Sequence, residues 1–116
     1  MTPAELLRWQ WQDYSKYHAS RLNLLIHIVA VPAFLAGNVL LILAVLTAQW
    51  PLGLGALVGS LLAFGVQGIG HGKEAQPSVP FSSLSNALGR ILLEQWVTFP
   101  RYVLSGGWRQ ALRRAS

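Results

Sequence analysis

Two long apolar stretches dominate the pattern of hydrophobic and polar positions along the chain. No charged residue occurs from Leu22 to Ala48 or from Leu52 to Gly70. Each stretch is long enough to cross the hydrocarbon layer of a membrane as an α-helix, which takes about 20 residues. Because only a short turn around Trp50 separates them, the pattern predicts a transmembrane helical hairpin over residues 22–48 and 52–71.

The segment before the hairpin has the pattern of an amphipathic helix. Thr2, followed by proline and then Glu5, is typical of a helix N-terminus. Leu7, Trp11, Tyr14 and His18 then recur on one helical face. We therefore predict a helix over residues 1–21 that lies on the membrane surface.

The segment after the hairpin begins as a loop and ends as a helix. Residues 72–85 are rich in Gly, Pro and Ser, which favour turns. Residues 84–105 are apolar but contain Arg90, Glu94 and Pro100, so we predict an interfacial helix or one packed against the hairpin. The predicted fold class is all-α, a small membrane helical bundle forming a single domain over residues 1–116.

Composition and charge support a membrane protein. Hydrophobic residues make up 53% of the chain and charged residues 11%, whereas about a quarter of a soluble domain is charged, so an ordinary soluble enzyme is excluded. The net charge of +5 comes from Lys and Arg that flank the apolar stretches, which argues against nucleic-acid binding. The positive-inside rule predicts that both termini of this multi-pass integral membrane protein are cytoplasmic. The expected location is the inner membrane if the protein is bacterial and the endoplasmic reticulum if it is eukaryotic.

The polar residues of the hairpin are predicted to lie at one depth. His27 precedes the turn at Trp50 by about as many positions as His71 follows it, so the two histidines lie level near the cytoplasmic end. Asn23 lies one helical turn from His27, and Gln67 lies one turn from His71. His18 joins this layer if the chain bends between residues 19 and 23.

This layer is a candidate metal site. The chain has no cysteine, so its ligands must be nitrogen or oxygen, which leaves non-haem iron, zinc or manganese. Open coordination positions beside His and carboxylate suit Fe(II) and O₂ chemistry best. The alternative is a scaffold or lipid-binding protein whose His and Glu side chains only hydrogen-bond between helices. A small-residue ridge at Gly55, Gly59 and Ala63 is predicted to pack on the first span or on a second subunit of a homo-oligomer.

Three local patterns resemble those of the Mpo1-like family. They are Tyr14-x-x-Tyr17-His18, Asn23-x-x-x-His27, and Gln67-Gly-Ile-Gly70-His71 followed by Glu74. The resemblance implies a multi-pass membrane protein and an Fe(II)-dependent dioxygenase that shortens 2-hydroxy fatty acids by one carbon. It also implies that His18, His27 and His71 are the essential histidines and that Glu74 is their acidic partner.

This resemblance and the polar layer together define the expected site. A 2-hydroxy fatty acid and O₂ are the expected substrates, with the acid's polar head in the cytoplasmic layer and its alkyl tail in lipid or along the apolar hairpin. The candidate metal ligands are His18, His27, His71 and Glu74, with Glu94 or water as alternatives for the fourth position. The candidate catalytic residues are Tyr14, Tyr17 and Gln67, and the candidate substrate-binding residues are Arg21, Asn23, Lys73 and Arg90. Bis-histidine haem binding is a further alternative.

Overall fold

The computed structural model describes residues 1–115, and all regular structure in that range is helical. The predicted all-α fold class is confirmed. The elements are α1 (Pro3–Gln12), α2 (Tyr14–Tyr17), α3 (Arg21–Leu46), α4 (Trp50–His71), α5 (Leu84–Leu93), a π-helical segment (Glu94–Thr98), α6 (Phe99–Leu104) and α7 (Gly107–Arg114).

The two long helices α3 and α4 form an antiparallel hairpin around which the other elements pack. Close approach of the two helices depends on glycine at two levels. A Cβ atom at Gly37 would collide with the Ser60 hydroxyl, and one at Gly70 would collide with Asn23. Both helices are long and apolar enough to cross a membrane, and only 28% and 22% of their most apolar windows are buried within the chain. Their outer faces therefore expose apolar side chains along most of their length.

The face of α4 that meets α3 differs from the predicted ridge. Ala63 is buried, but Gly55 and Gly59 are exposed, and a side chain at either glycine would contact nothing. The buried small residues are instead Gly53, Ala56, Ser60, Ala63 and Gly70. The prediction that this ridge packs on the first span is therefore wrong at Gly55 and Gly59, which point away from α3, and packing on a second subunit stays a prediction.

The N-terminal segment is not the single helix predicted over residues 1–21. Thr2 and Glu5 form the expected capping box at the start of α1. The helix then breaks at Asp13, resumes for one turn as α2, and ends at His18. Ser20 caps α3 by accepting a hydrogen bond from the backbone N–H of Asn23, so the chain changes direction between His18 and Arg21.

The C-terminal helix predicted over residues 84–105 is interrupted by the π-helical segment. The N–H of Phe99 bonds to the carbonyl of Glu94, five residues earlier. Pro100 has no N–H and cannot continue an α-helical ladder at this point, which accounts for the wider turn. Gly106, with φ of 84°, ends the run as predicted.

The basic tail beyond Gly106 forms a helix that the sequence analysis did not predict. This helix, α7, packs against α3, where Trp108 Nε1 donates a hydrogen bond to the carbonyl of Leu24. A core of Tyr14, Leu24, Val31, Phe99 and Tyr102 joins the N-terminal segment, α3 and α6. This core fixes the chain segments that supply the site.

Candidate metal centre

Three histidines from three separate segments meet at the cytoplasmic end predicted for the hairpin. His18 is the C-cap residue that follows α2, His27 lies in the second turn of α3, and His71 is the last residue of α4. Their ring centroids are 4.8–4.9 Å apart in every pair, and the ring planes are 81–88° from one another. The bend between α2 and α3 turns His18 back over the other two rings, as the sequence analysis required.

Two of these rings are oriented by backbone carbonyls. His18 Nδ1 lies 2.9 Å from the carbonyl oxygen of Tyr14, and His27 Nδ1 lies 3.0 Å from that of Asn23. A carbonyl only accepts hydrogen bonds, so each Nδ1 carries a proton and donates it. Each Nε2 is buried without a hydrogen-bond partner and faces the cluster. This is the arrangement in which an imidazole is held to bind a metal through Nε2.

Glu94 completes the cluster. Its Oε2 atom lies 3.3 Å from His18 Nε2 and 3.9 Å from His27 Nε2. Burial raises the pKa of the Glu94 carboxyl, but the interactions with the neighbouring imidazoles, that of His18 first, outweigh burial and lower the pKa to about 2. Glu94 is therefore an anion at neutral pH, and it faces buried nitrogen atoms that have no partner of their own.

The donor set fits a metal ion. One ligand atom from each of His18, His27, His71 and Glu94 lies within 4.8 Å of all the others. A cation among them would be coordinated by the unpartnered Nε2 atoms and the carboxylate together. Otherwise two nitrogen lone pairs and a carboxylate anion face and repel one another in a buried site. Three imidazoles and one carboxylate are ligands typical of non-haem iron, zinc and manganese.

Glu74, which we expected beside His71 as the acidic ligand, lies outside this cluster. Its carboxylate accepts hydrogen bonds from the backbone N–H groups of Ala19 and Ser20 at 3.0 Å and from Asn23 Nδ2 at 2.7 Å. Glu74 would share a helical face with His71 only if α4 continued past His71, but the helix ends there and Glu74 follows in a turn. Glu74 thus anchors the bend that carries His18.

The family motif favours Glu74 as the acidic ligand, with Glu94 as an alternative. The signal that favours Glu94 is an acidic residue inside the apolar stretch 84–105, where a charge is costly unless it has a function or a partner. In the structure the partners of this charge are the histidines and the Tyr14 hydroxyl, which donates a hydrogen bond of 2.9 Å to Glu94 Oε2. Burial, and then the charge of Glu94, raises the pKa of Tyr14 well above its usual value, so this hydroxyl keeps its proton.

A cavity of about 380 Å³ opens beside the cluster. Its lining includes His18, His71 and Glu94, and also four of the residues expected at the site, which are Tyr14, Tyr17, Gln67 and Arg90. This volume is within the range of small-molecule binding sites. The cluster is therefore open to a ligand on one side.

Of these four, Gln67 is buried and its amide is bonded reciprocally to that of Gln95, which fixes the orientation of its side chain at the cavity wall. The three other expected substrate-binding residues do not line the cavity. Asn23 is fully buried and bonds to Glu74. Arg21 and Lys73, proposed from sequence for substrate binding, are exposed and do not belong to the cavity lining.

Comparison with protein-family models matches residues 4–99 to a family described as 2-hydroxy-palmitic acid dioxygenase Mpo1-like. Neither the curated proteins nor the solved structures searched contain a match to this chain. The family match spans most of the 116 residues and includes all four residues of the cluster. The chain therefore belongs to the Mpo1-like family, which its three histidine-containing motifs resemble.

Proposed function

We propose that this protein is an Fe(II)-dependent dioxygenase that converts 2-hydroxy fatty acids into acids one carbon shorter. The observation that carries the proposal is the cluster of three imidazoles and one carboxylate at the wall of a cavity. The family description, which names 2-hydroxy-palmitic acid, supports the choice of substrate.

The four residues of the cluster would hold the iron. His18 and His27 offer Nε2 atoms already oriented by backbone carbonyls, and Glu94 offers an anionic oxygen. When bound, Fe(II) would supply a centre at which O₂ and the oxygen atoms of a 2-hydroxy acid are activated.

The reaction balances without a further reductant. One R-CH(OH)-COOH and one O₂ give R-COOH, CO₂ and H₂O. The bond between the carboxyl carbon and the hydroxyl-bearing carbon breaks, and the substrate supplies all four electrons that O₂ takes up. Neither a 2-oxo acid nor a nicotinamide cofactor is required.

The chain's own side chains would position the substrate head. Arg90 is the only Lys or Arg in the cavity lining of the described residues, so it is the candidate partner for the substrate carboxylate. Its guanidinium lies 4.9 Å from the Trp9 ring and 4.5 Å from the Phe81 ring, and it donates to the carbonyls of Val79 and Pro80. These contacts fix the guanidinium in place. Tyr14 holds the Glu94 carboxylate, and Tyr17 adds a second phenol to the lining.

The proposed site lies at the cytoplasmic side of a membrane. α3 and α4 would span the bilayer, with Trp50 at the far interface and both termini in the cytoplasm. The exposed apolar side chains of α5, Leu84, Leu88 and Leu92, recur every four residues and suit a helix at the membrane interface. The substrate's head would then lie beside the histidine cluster at the cytoplasmic end of the hairpin, while its alkyl tail stays in the apolar region of the hairpin and the lipid.

Oxygen uptake and product analysis with 2-hydroxypalmitate test the proposal. We expect the wild type purified with Fe(II) to consume one O₂ for each shortened acid formed. His71→Ala should abolish both, while Gln49→Ala, at the opposite end of the hairpin, should leave both unchanged. Equal activity of wild type and His71→Ala would contradict the proposed site.

Elemental analysis separates this proposal from the alternatives. A scaffold or lipid-binding protein would carry no metal after purification. In such a protein His27→Gln would lower only the stability, because there is no enzymatic activity to lose. A Soret band in the absorption spectrum would indicate haem instead. We expect iron at one atom per chain in the wild type, with no Soret band.

A further inference from the structure

The cavity extends away from the cluster along one face of α4. Phe64, Gly68 and His71 all line it, and their spacing of four and three residues puts them on the same side of the helix. Gly68 lies about 4.5 Å and Phe64 about 10.5 Å from His71 along the helix axis, in the direction of the hairpin turn. We name the part of the cavity lined by Gly68 and Phe64 the tail arm.

The tail arm has an apolar character that contrasts with the cluster end. Neither of its α4 residues is charged, and Ile91, Val79 and Phe81 add further apolar side chains to the cavity lining. The lining also contains His18, His71 and Glu94 of the cluster, with the Tyr14 phenol bonded to Glu94. The cavity as a whole therefore matches an amphipathic molecule with a polar head and an apolar tail.

Gly68 is the residue that leaves the tail arm open. A Cβ atom built at this position meets no other atom within 4 Å, so a larger side chain would project into free space. Because Gly68 also lines the cavity, part of that space belongs to the tail arm.

We propose that the tail arm binds the unbranched alkyl chain of the substrate and that Gly68 is the residue that admits chains longer than a few carbons. The inference rests on the proposed function for the identity of the head group. The alkyl chain follows α4 from His71 toward Phe64. It then continues along the exposed apolar surface of α4, where Leu61 is 60% exposed. That surface is continuous with the faces that would contact lipid, so a chain longer than the arm stays in an apolar environment.

A pair of glycine substitutions on α4 tests this assignment. Gly68→Leu places a side chain in the tail arm, whereas Gly65→Leu adds the same side chain to another open position that does not line the cavity. Leucine is the better helix former, so neither substitution should unfold the helix. The ligands are 2-hydroxypalmitate and 2-hydroxybutyrate, and anaerobic binding is measured beside kcat/KM so that affinity does not depend on turnover.

We expect Gly68→Leu to weaken binding of 2-hydroxypalmitate by more than tenfold. Each methylene that loses its burial lowers affinity roughly fourfold, so excluding two or more is sufficient. Binding and kcat/KM for 2-hydroxybutyrate should stay within about twofold of the wild type, because its short chain ends before position 68. Gly65→Leu should match the wild type with both acids.

Three outcomes would overturn the assignment of the tail arm. They are unchanged binding of 2-hydroxypalmitate by Gly68→Leu, an equal loss for the long and the short acid, and a wild type that does not prefer the longer one. A wild type that binds 2-hydroxypalmitate without shortening it contradicts the proposed activity alone. In that case the comparison of Gly68→Leu with Gly65→Leu still decides whether the alkyl chain lies in the tail arm.

Discussion

Replacing Glu74 with glutamine distinguishes an anchor from a metal ligand. The Glu74 carboxylate accepts four hydrogen-bonding contacts of 2.7–3.0 Å, three from the backbone N–H groups of Ala19 and Ser20 and one from Asn23. Glutamine keeps one oxygen acceptor, loses the charge, and presents an NH₂ group where a second acceptor is needed. The backbone of the bend before α3 would then lose part of its anchor.

The size of the effect follows from these contacts. A hydrogen bond to a charged group contributes about 1.5–3 kcal/mol, against about 0.5–1.5 for a neutral one. We expect Glu74→Gln to lower the free energy of unfolding by about 2–3 kcal/mol, since the four contacts share two oxygens and are not additive. Residues that orient metal ligands typically change metal affinity by about 10–100-fold when mutated. Glu74 holds the bend that positions His18, so we expect a loss of affinity in that range.

The assay measures thermal unfolding and bound metal on the same purified samples. Glu74→Gln should unfold at a lower temperature but still bind one metal ion when the metal is supplied well above its dissociation constant. Glu94→Gln should lose the metal under the same conditions, because it removes the anionic oxygen of the cluster. Glu5→Gln, in the exposed capping box of α1, is the control and should change neither quantity appreciably. Loss of metal from Glu74→Gln with unchanged thermal stability would refute this reasoning.

Three further predictions concern packing, topology and metal. Gly70→Ala should destabilise the protein by about 1–3 kcal/mol in thermal or chemical unfolding because its methyl group would collide with Asn23, whereas Gly65→Ala should be neutral or stabilising. In a chain without native cysteine, a membrane-impermeant maleimide applied to intact cells should label Thr47→Cys and should label Thr2→Cys only after permeabilisation; the reverse pattern would contradict the proposed orientation. Removing metal with a chelator should lower the unfolding temperature. Adding Fe(II) back at 100 times its dissociation constant should restore about 2.7 kcal/mol of the free energy of unfolding. No shift of the unfolding temperature in a calorimetric scan would argue against a native metal site.

The sequence was sufficient to predict which histidines meet. The rise per residue in two helices joined by a short turn determines which positions lie level, so His27 and His71 could be paired by counting from Trp50. Their association with His18 required only one bend, which the structure places between α2 and α3. These inferences depend only on the rise per residue of a helix, on the turn at Trp50 and on the bend between α2 and α3.

The acidic partner could not be predicted in the same way. Choosing between Glu74 and Glu94 required knowing where α4 ends and how the helical run α5 to α6 crosses the hairpin. Both depend on tertiary packing, including the reciprocal amide pair of Gln67 and Gln95. The helix α7 was missed for a related reason, because its stability comes partly from the contact of Trp108 with α3.

The order in which the ligands occur along the chain has a consequence for biogenesis. His18, His27, His71 and Glu94 come from four different segments in chain order, and the acidic member leaves the ribosome last. Insertion of the two apolar helices, as proposed, would therefore precede completion of the cluster, and a nascent chain that stops short of α5 has the three imidazoles but lacks Glu94. Metal acquisition would then be a late, post-insertional step that marks a fully synthesised molecule.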